Sequence, residues 1–282
     1  MNSAKALFVS GTGTDIGKTY VTALIAKLLR DAGRDVGYYK AAVSGVTFDA
    51  AGNIESDATY VAKIAGIPET HEDMVSYTYR TAVSPHLAAR LEGNPVDIEV
   101  VRSDFARACG RHDYVLVEGS GGIVCPLRRD NETHLDLDDV VRDLGLPVLL
   151  VADAGLGTLN ALATTTAYLN SKGMHAVGII LNRFKPKDAM HEDNRIMAEE
   201  LCGVPVVGCI PEGGTSLDAD PSRLERMFAA PNGPGTGEEN SAASRASSSM
   251  AGSSGSRCAI SPILLRGAIA PSTPRGSWRT RL

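Results

Sequence analysis

A glycine-rich segment with one lysine and one threonine follows the first apolar run of the chain, and residues 11–19 read Gly-Thr-Gly-Thr-Asp-Ile-Gly-Lys-Thr. Small residues let a backbone curl so that several N–H groups converge on phosphate oxygens, and a following helix directs its positive end to the same place. Lys18 can then reach the β- and γ-phosphates, and the Thr19 hydroxyl can coordinate Mg²⁺. The strict phosphate-loop pattern has glycine at position 12, where this chain has Thr12, and its glycine falls one residue earlier, at Gly11. The segment nevertheless predicts that the protein binds a nucleoside triphosphate.

A segment late in the sequence bears on which base is bound. A GTP-binding protein normally carries Asn/Thr-Lys-x-Asp after a late strand, and residues 181–184 of this chain read Leu-Asn-Arg-Phe. The lysine and the aspartate of that pattern are missing, although the amide of Asn182 can still pair with a purine edge. The sequence therefore favours ATP.

Carboxylates and a second lysine come where predicted strands end. Glu118 and Asp153 each end an apolar run, and either could bind Mg²⁺ or merely cap the helix that comes next. Position favours Glu118 as the metal ligand. Lys40 follows the second predicted strand, where it could neutralise charge on a transferring phosphoryl group. Asp57 has the local pattern of a helix N-cap.

Six short apolar runs rich in β-branched residues predict buried strands. They are Ala6–Val9, Val36–Tyr39, Tyr114–Val117, Val148–Val151, Val177–Leu181 and Val206–Ile210. Between them lie amphipathic stretches of helical length; in the first, apolar residues recur at i, i+3, i+4, i+7 and i+8 from Val21 to Leu29, and Gly33 supplies a stop. The alternation predicts an α/β domain with a mostly parallel sheet flanked by helices on both faces. In such sheets ligands bind at the carboxyl ends of the strands.

Composition excludes several classes of protein. The chain has 282 residues with 28 Lys+Arg against 33 Asp+Glu, and a formal net charge of −5 argues against nucleic acid as a partner. No apolar run approaches the roughly 20 residues that cross a bilayer, and residues 1–10 lack the features of a secretory signal, so we expect a cytoplasmic protein. The five cysteines include no C-x-x-C pair, which argues against a disulfide framework or a zinc site.

The last part of the chain differs in composition from the rest. Residues 1–229 hold 22 Lys+Arg and 31 Asp+Glu, a balance of −9, whereas residues 230–282 hold 6 and 2, a balance of +4. The second region is rich in Gly, Ser and Pro and contains one short apolar patch, Ile260–Ile269. Such a sequence buries too little apolar surface to offset the entropy of ordering it. We predict a domain boundary near Ala229, followed by a low-complexity, disordered tail.

The motifs of the chain form an ordered set. In order, they are Gly11-x5-Gly17-Lys18-Thr19, Gly37-Tyr38-Tyr39-Lys40-x3-Ser44-Gly45, Ser56-Asp57-Ala58, Ser84-Pro85-His86, Val117-Glu118-Gly119-Ser120-Gly121-Gly122, Leu156-Gly157-Thr158-Leu159-Asn160, Asn182 and Ile210-Pro211-Glu212. This set resembles the motifs of the dethiobiotin synthetase family. The match runs from about Leu7 to about Phe228. Residues 1–229 would then form a P-loop ATP-dependent ligase domain.

The resemblance implies the penultimate step of biotin synthesis, with ATP and Mg²⁺ as cofactors. In that reaction an amine of 7,8-diaminononanoate forms a carbamate with CO₂, and a carbamate oxygen attacks the γ-phosphate to give a mixed anhydride. The second amine then closes the ureido ring of dethiobiotin and expels phosphate. No protein nucleophile is needed, so the enzyme acts by positioning and charge stabilisation.

The resemblance also implies roles for residues. Lys18 and Lys40 would be catalytic, and the metal would be held by Thr19, Asp57 and Glu118. The nucleotide and its metal would be bound by Asp15, Ile16, Gly17, Lys18, Thr19, Tyr20, Asp57, Glu118, Gly119, Ser120, Gly121, Asn182, Arg183, Pro211, Glu212 and Gly213. The diamine would contact Ser44 and, through its distant carboxylate, a helix N-terminus of a second subunit at Thr158, Leu159 and Asn160. The resemblance therefore implies a homodimer with shared active sites.

Three other functions fit parts of the sequence. A regulatory P-loop ATPase for chromosome partition or division-site placement usually has an additional lysine early in the loop, where this chain has Thr12 to Thr14. A related amidotransferase-type ligase acting on a cobalamin precursor carries an appended glutaminase domain, for which residues 230–282 are too short and polar. A catalytically silent relative is disfavoured by the intact Lys18, Lys40 and Glu118.

Overall fold

The computed structural model describes residues 4–232, which form an α/β fold of eleven strands and nine helices. The strands are β1 (Lys5–Gly11), β2 (Val36–Ser44), β3 (Thr47–Phe48), β4 (Ile54–Glu55), β5 (Val75–Tyr79), β6 (Tyr114–Gly122), β7 (Pro126–Arg129), β8 (His134–Asp136), β9 (Val148–Asp153), β10 (Ala176–Phe184) and β11 (Val206–Pro211). The helices are α1 (Lys18–Asp31), α2 (Asp57–Ala65), α3 (His71–Met74), α4 (Pro85–Glu92), α5 (Ile98–Arg111), α6 (Leu137–Leu144), α7 (Thr158–Ser171), α8 (Ala189–Cys202) and α9 (Pro221–Glu225).

Seven of the strands form one parallel sheet in the order β11-β10-β9-β1-β6-β2-β5. The two remaining pairs, β3 with β4 and β7 with β8, are small antiparallel hairpins. The central strand β1 lies between β6 and β9, and the loop between β1 and α1 leaves its carboxyl end. The carboxyl ends of β2 and β6 lie on the same edge, so the chemistry-bearing residues near the ends of these strands come together there.

Both faces of the sheet are buried, as the continuous apolar runs predict. Along β1, Leu7 and Val9 belong to a core shared with α1 and α2, while Ala6 and Phe8 belong to a core shared with α5, α6 and α7. Alternate side chains of a strand point to opposite faces, so a strand buried on both faces must be apolar throughout. The predicted parallel sheet with helices on both faces is confirmed.

All six predicted strands are present and each extends beyond its predicted bounds. The sequence analysis missed β5, the edge strand of the sheet, in which Val75, Tyr77 and Tyr79 are buried and the intervening residues are half-buried. This strand alternates between apolar and polar side chains because one of its faces is only partly covered. An alternating pattern over five residues was present in the sequence but is weaker than a continuous apolar run.

The described chain remains bonded to the domain up to its last residue. Ala229 exchanges two backbone hydrogen bonds with Ala6, and Asn232 donates to the carbonyls of Asp143 and Leu144 at the end of α6. Residues 233–282, which make up nearly all of the predicted tail, lie outside the described residues. Among the described helices, none combines the length and apolar character needed to cross a bilayer.

Candidate active site

A cleft of about 1200 Å³ opens at the carboxyl ends of β1, β2 and β6. It is lined by Thr14, Asp15, Gly17, Lys18, Thr19, Tyr20, Lys40, Val43, Ser44, Asp57, Tyr60, Ala82, Val83, Ser84, Pro85, Glu118, Gly119, Ser120, Gly121, Gly122, Val124, Cys125 and Pro126. The cleft therefore brings together the predicted phosphate loop, Lys40, Asp57 and Glu118, which are far apart along the chain. It is large enough for a nucleotide and a small substrate together.

The phosphate loop joins β1 directly to α1, and two of its glycines lie close against neighbouring side chains. A Cβ at Gly11 would lie 2.5 Å from Cδ1 of Ile16 and 2.9 Å from Cδ of Lys18. Gly17 has a φ of +87°, and a Cβ there would lie 2.2 Å from Nδ2 of Asn182.

The loop presents free backbone donors next to the start of α1. The N–H groups of residues 13–17 donate to no atom of the described chain. Because the first N–H groups of α1 also lack partners in the helix, donors from loop and helix are available together. This arrangement is suited to phosphate oxygens.

Lys18 is buried to 8% exposure and its Nζ donates to the carbonyl of Gly13, 3.2 Å away across the loop. Burial lowers the pKa of this ammonium, and the nearby positive charge of Lys40 lowers it further. A polyphosphate would supply the anionic partner that the ammonium lacks.

A network of short hydrogen bonds joins Lys40 to three predicted metal ligands. Its Nζ donates to Oδ2 of Asp57 at 2.6 Å and to Oε1 of Glu118 at 2.8 Å. The hydroxyl of Thr19 donates to the same Glu118 oxygen at 2.7 Å. Lys40 and Glu118 are 3% and 2% exposed, so this is a buried charge network rather than a surface ion pair.

The charges of this network depend on one another. Burial alone would lower the pKa of Lys40, but Glu118 and Asp57 outweigh that cost and the pKa is raised. Burial alone would raise the pKa of Asp57, but the charge of Lys40 and hydrogen bonds from Lys40 and Thr19 leave it lowered. The ammonium and the carboxylate are therefore both charged at neutral pH.

Tyr38 is a member of the site that the sequence analysis did not assign. It is 2% exposed, and its hydroxyl donates to Oε2 of Glu118 at 3.2 Å, so each oxygen of this carboxylate has a protein donor. Burial and the negative charge of Glu118 raise the pKa of Tyr38 well above its usual range, so it remains a donor. A signal was present: Tyr38 lies two residues before Lys40 on one strand and so shares its face.

Asp57 is fixed by the start of α2. Ser56 caps this helix, with its hydroxyl accepting from the Thr59 N–H at 3.3 Å, while the Thr59 hydroxyl accepts from the Ser56 N–H at 2.9 Å. Buried His71 lies 3.0 Å from the Ser56 hydroxyl through Nδ1. Asp57 is the first helical residue rather than the N-cap itself, which leaves its carboxylate free to meet Lys40.

The opposite wall of the cleft is formed by serines and apolar residues instead of charged side chains. Ser44 donates to the carbonyl of Val83 at 2.6 Å, and Ser120 donates to the carbonyl of Ala42 at 2.7 Å. Two wall segments, 82–85 and 124–126, were not assigned to the site from the sequence, apart from the Ser84-Pro85 motif. Apart from that motif, no local pattern marks these segments, because they approach the site only through the fold.

Cys125 lies in this wall, and its chemistry can be judged from its surroundings. Burial raises the pKa of its thiol to about 11. A thiol with this pKa is protonated at neutral pH and is a poor nucleophile.

The residues predicted to bind the base lie outside this cleft. The amide of Asn182, at the end of β10, donates to the carbonyl of Ile16 at 2.8 Å and accepts from the Arg183 N–H at 3.0 Å. Glu212 is exposed and forms a 3.6 Å ion pair with Lys185, and the hydroxyl of Tyr20 donates to the carbonyl of Gly214. The loop that follows Pro211 at the end of β11, and that includes Gly213, is thereby tied to α1.

Asp153 and the start of α7 also lie apart from the cleft. Asp153 pairs with Arg183 at 2.7 Å and accepts from the Gly155 N–H at 2.8 Å. It therefore does not cap α7, whose N-cap is Gly157, and it lies outside the cleft. Thr158 opens α7 with its hydroxyl oxygen buried and without a partner in the described chain, followed by half-buried Leu159 and exposed Asn160. These three residues do not contact the cleft of their own chain.

The chain matches one family model, and the curated proteins that it resembles share one name. The AAA domain family model matches residues 5–217. The ATP-dependent dethiobiotin synthetase BioD of Brachyspira hyodysenteriae is 48% identical over 225 residues, covering 80% of this chain and 99% of that protein. The protein of the same name from Clostridium perfringens is 41% identical over 208 residues, covering 74% and 91%.

Solved structures with a similar fold are more distant. The MinD cell division protein of Aquifex aeolicus is 18% identical, with a TM-score of 0.46, and the match covers 74% of this chain and 83% of that one. A likeness of this degree carries no information on function. The curated relatives, by contrast, match over nearly their whole length, and on that ground the chain belongs to the ATP-dependent dethiobiotin synthetase family.

Proposed function

We propose that the protein catalyses the ATP- and Mg²⁺-dependent carboxylation and ring closure of 7,8-diaminononanoate with CO₂, giving dethiobiotin, ADP and phosphate in biotin biosynthesis. The observation that supports this most is the buried network of Lys40, Asp57 and Glu118 beside the phosphate loop. Family membership adds the substrates, which the geometry alone does not specify.

The phosphate loop binds the triphosphate in this proposal. The unpaired N–H groups of residues 13–17 and of the start of α1 donate to phosphate oxygens, and Lys18 carries its positive charge to the β- and γ-phosphates. Asn182 and the backbone of residues 211–213 recognise adenine. The next residue, Gly214, accepts a hydrogen bond from the Tyr20 hydroxyl, which ties this segment to α1.

The donor set fits Mg²⁺. Thr19, Asp57 and Glu118 offer one hydroxyl and two carboxylates, all oxygen donors of the kind that this hard cation prefers. The two carboxylates already face one positive charge, that of Lys40, and the Thr19 hydroxyl donates to Glu118. When bound, Mg²⁺ would neutralise charge on the β- and γ-phosphates. Tyr38 holds the second oxygen of Glu118 and so fixes the orientation of the carboxylate.

Lys40 supplies the charge for the chemical step. In the free protein its ammonium is shared between two carboxylates, which keeps it protonated and aimed into the cleft. In the reaction it stabilises the negative charge of the carbamate and of the γ-phosphate as the carbamate oxygen attacks. No cysteine or serine nucleophile is required, in keeping with the raised pKa of the Cys125 thiol.

The substrate lies along the second wall. Ser44 contacts the diamine or its carbamate, and the apolar residues among 82–85 and 124–126 line its path. The distant carboxylate docks at the α7 N-terminus of a second subunit, at Thr158 to Asn160, where backbone N–H groups suit an anion. The active form is then a homodimer in the cytoplasm.

The direct test is product formation. The purified protein receives 7,8-diaminononanoate, bicarbonate, Mg²⁺ and ATP, and dethiobiotin is sought by mass spectrometry. We expect dethiobiotin and one ADP per product, with neither appearing when the diamine is omitted. Phosphate release that does not depend on the diamine would contradict the proposal and favour a regulatory ATPase.

A further inference from the structure

Arg183 follows Asn182 at the end of β10 and makes two contacts that lead to the phosphate loop. Its guanidinium donates through Nη2 to the backbone carbonyl of Asp15 at 2.7 Å and through Nη1 to Oδ2 of Asp153 at 2.7 Å. A guanidinium is suited to this double role because its donors are held in one rigid plane. The side chain is 44% exposed, so it is neither a core residue nor a freely solvated one.

The backbone at both ends of the first contact has an unusual conformation. Asp15 has a φ of 57° and Arg183 a φ of 55°, both in the left-handed region that residues other than glycine adopt at a cost. Two of the three such residues in the described chain are therefore bonded to each other. Left-handed backbone of this kind persists where surrounding contacts impose it.

Consecutive carbonyls of the loop are held by consecutive residues of β10. Arg183 holds the carbonyl of Asp15, and Asn182 holds that of Ile16. In a trans peptide the carbonyl and the following N–H point in opposite directions. Anchoring these two carbonyls on β10 therefore turns the N–H groups of Ile16 and Gly17, which have no partner in the described chain, towards the other side.

Asp153 fixes the guanidinium from the neighbouring strand. It stands opposite Asn182 in the pairing of β9 with β10, and its other oxygen accepts from the Gly155 N–H. Burial works against its charge, but the hydrogen bonds from Arg183 and Gly155 leave the pKa of Asp153 lowered. The anchor is therefore a carboxylate at neutral pH and is itself held in place.

We infer that Arg183 is a positioning residue, which holds the phosphate loop in its binding conformation through the Asp15 carbonyl and strengthens triphosphate binding without contacting the base. The inference rests on the nucleotide site proposed above and adds the residue that keeps its donors oriented. Arg183 then acts on the nucleotide indirectly, by holding the loop. The resemblance, by contrast, implied that Arg183 contacts the nucleotide directly.

Two ligands distinguish a contact with the base from an effect on the loop. Isothermal titration calorimetry measures the binding of Mg²⁺-ATP and of Mg²⁺-inorganic tripolyphosphate to the wild type and to Arg183→Gln. We expect both ligands to bind about tenfold more weakly to the variant and by the same factor, as for loss of one hydrogen bond from a charged group. The KM for ATP should rise similarly, with kcat changed less than about twofold, because the triphosphate interaction is uniform along the reaction.

Two further variants serve as controls. Arg195→Gln removes a half-exposed arginine that pairs with Glu192 on α8, and it should change neither affinity. In Arg183→Lys the ammonium can reach only one of the two partners, so its affinities for both ligands should lie between those of the wild type and Arg183→Gln. If Arg183→Gln folds poorly, Arg183→Lys provides the test in its place.

The possible outcomes distinguish the inference from the proposed function. Unchanged affinities in folded Arg183→Gln would overturn the inference, and so would a loss confined to ATP, which would indicate a contact with the base. Failure of the wild type to bind ATP at all would instead contradict the proposed function.

Discussion

At the scale of single residues, the site depends on Lys40, a buried lysine. It keeps its charge because two carboxylates, Asp57 and Glu118, face it. Lys40 is 3% exposed, and an isolated ammonium at such a depth would lose its proton. Asp57 and Glu118 reverse this outcome, and in return Lys40 offsets the repulsion between the two carboxylates. In the proposed mechanism, the same positive charge stabilises the carbamate and the γ-phosphate.

Replacement of Lys40 by alanine tests this role. Turnover of Lys40→Ala should fall by at least about a hundredfold, as for loss of one preorganised charge donor, while ATP binding in the presence of Mg²⁺ stays close to that of the wild type. Steady-state kinetics and calorimetry measure the two quantities. Lys63→Ala, which removes an exposed lysine from α2, is the matched control. Near-normal turnover of Lys40→Ala would show that the role given to this residue is wrong.

At the scale of secondary-structure elements, the predictable part of the site is the part carried by one strand and the loop directly after it. The phosphate loop, Lys40 and Glu118 each come directly after an apolar run, so sequence order alone places them at the same edge of the sheet. Tyr38 was missed although it shares the face of Lys40, because a tyrosine in an apolar strand normally indicates core packing.

Other parts of the site could not be predicted from local pattern. The contact between Arg183 and the Asp15 carbonyl joins residues 168 positions apart, and it exists only because β10 lies two strands from β1. The same holds for the walls at 82–85 and 124–126. The edge strand β5 was missed because one of its faces is only partly covered, which gives an alternating pattern instead of a continuous apolar run.

The ion pair between the ends of β9 and β10 gives a pH-dependent stability. The pKa of Asp153 is lowered in the folded protein, so the contribution of its charge is present above the ordinary carboxyl pKa and is lost as pH falls through the lowered value. Asp153→Asn retains an acceptor for the Gly155 N–H but loses the charge. With both partners about 40% exposed, the free energy of unfolding should fall by at most about 1 kcal/mol at pH 7.

Urea denaturation at several pH values checks this expectation. The difference between wild type and Asp153→Asn should be constant near neutral pH and shrink towards zero below about pH 4. A difference that grows on acidification would contradict the assignment of a carboxylate paired with Arg183.

At the scale of the whole molecule, every residue that lines the cleft belongs to the described part of the chain. The cleft, the sheet and the helices that cover it all lie between residues 4 and 232, and the last of these residues still bonds to α6. The predicted boundary near Ala229 and the predicted disorder of the tail both stay predictions, because residues 233–282 are not described.

Two truncations test where the folded unit ends. A chain ending at Asn232 should keep the stability and activity of the full chain. A chain ending at Phe228 loses the two bonds of Ala229 with Ala6 and those of Asn232 with α6. Its Tm should be lower by at least about 4 °C, since each hydrogen bond contributes about 1 kcal/mol and 1 kcal/mol shifts Tm by about 2–4 °C in a domain of this size. Loss of soluble protein on truncation at Asn232 would show that residues 233–282 stabilise the domain.

The proposed chemistry requires Lys18, Lys40, Asp57 and Glu118 to surround one metal-bound triphosphate. A crystal structure of the protein with Mg²⁺ and a non-hydrolysable ATP analogue shows whether they do. We expect the metal to bind Thr19, Asp57 and Glu118, with the Lys18 ammonium on the β- and γ-phosphates and Lys40 facing the γ-phosphate. A triphosphate bound away from the 11–19 loop, or a metal held by other side chains, would contradict this arrangement.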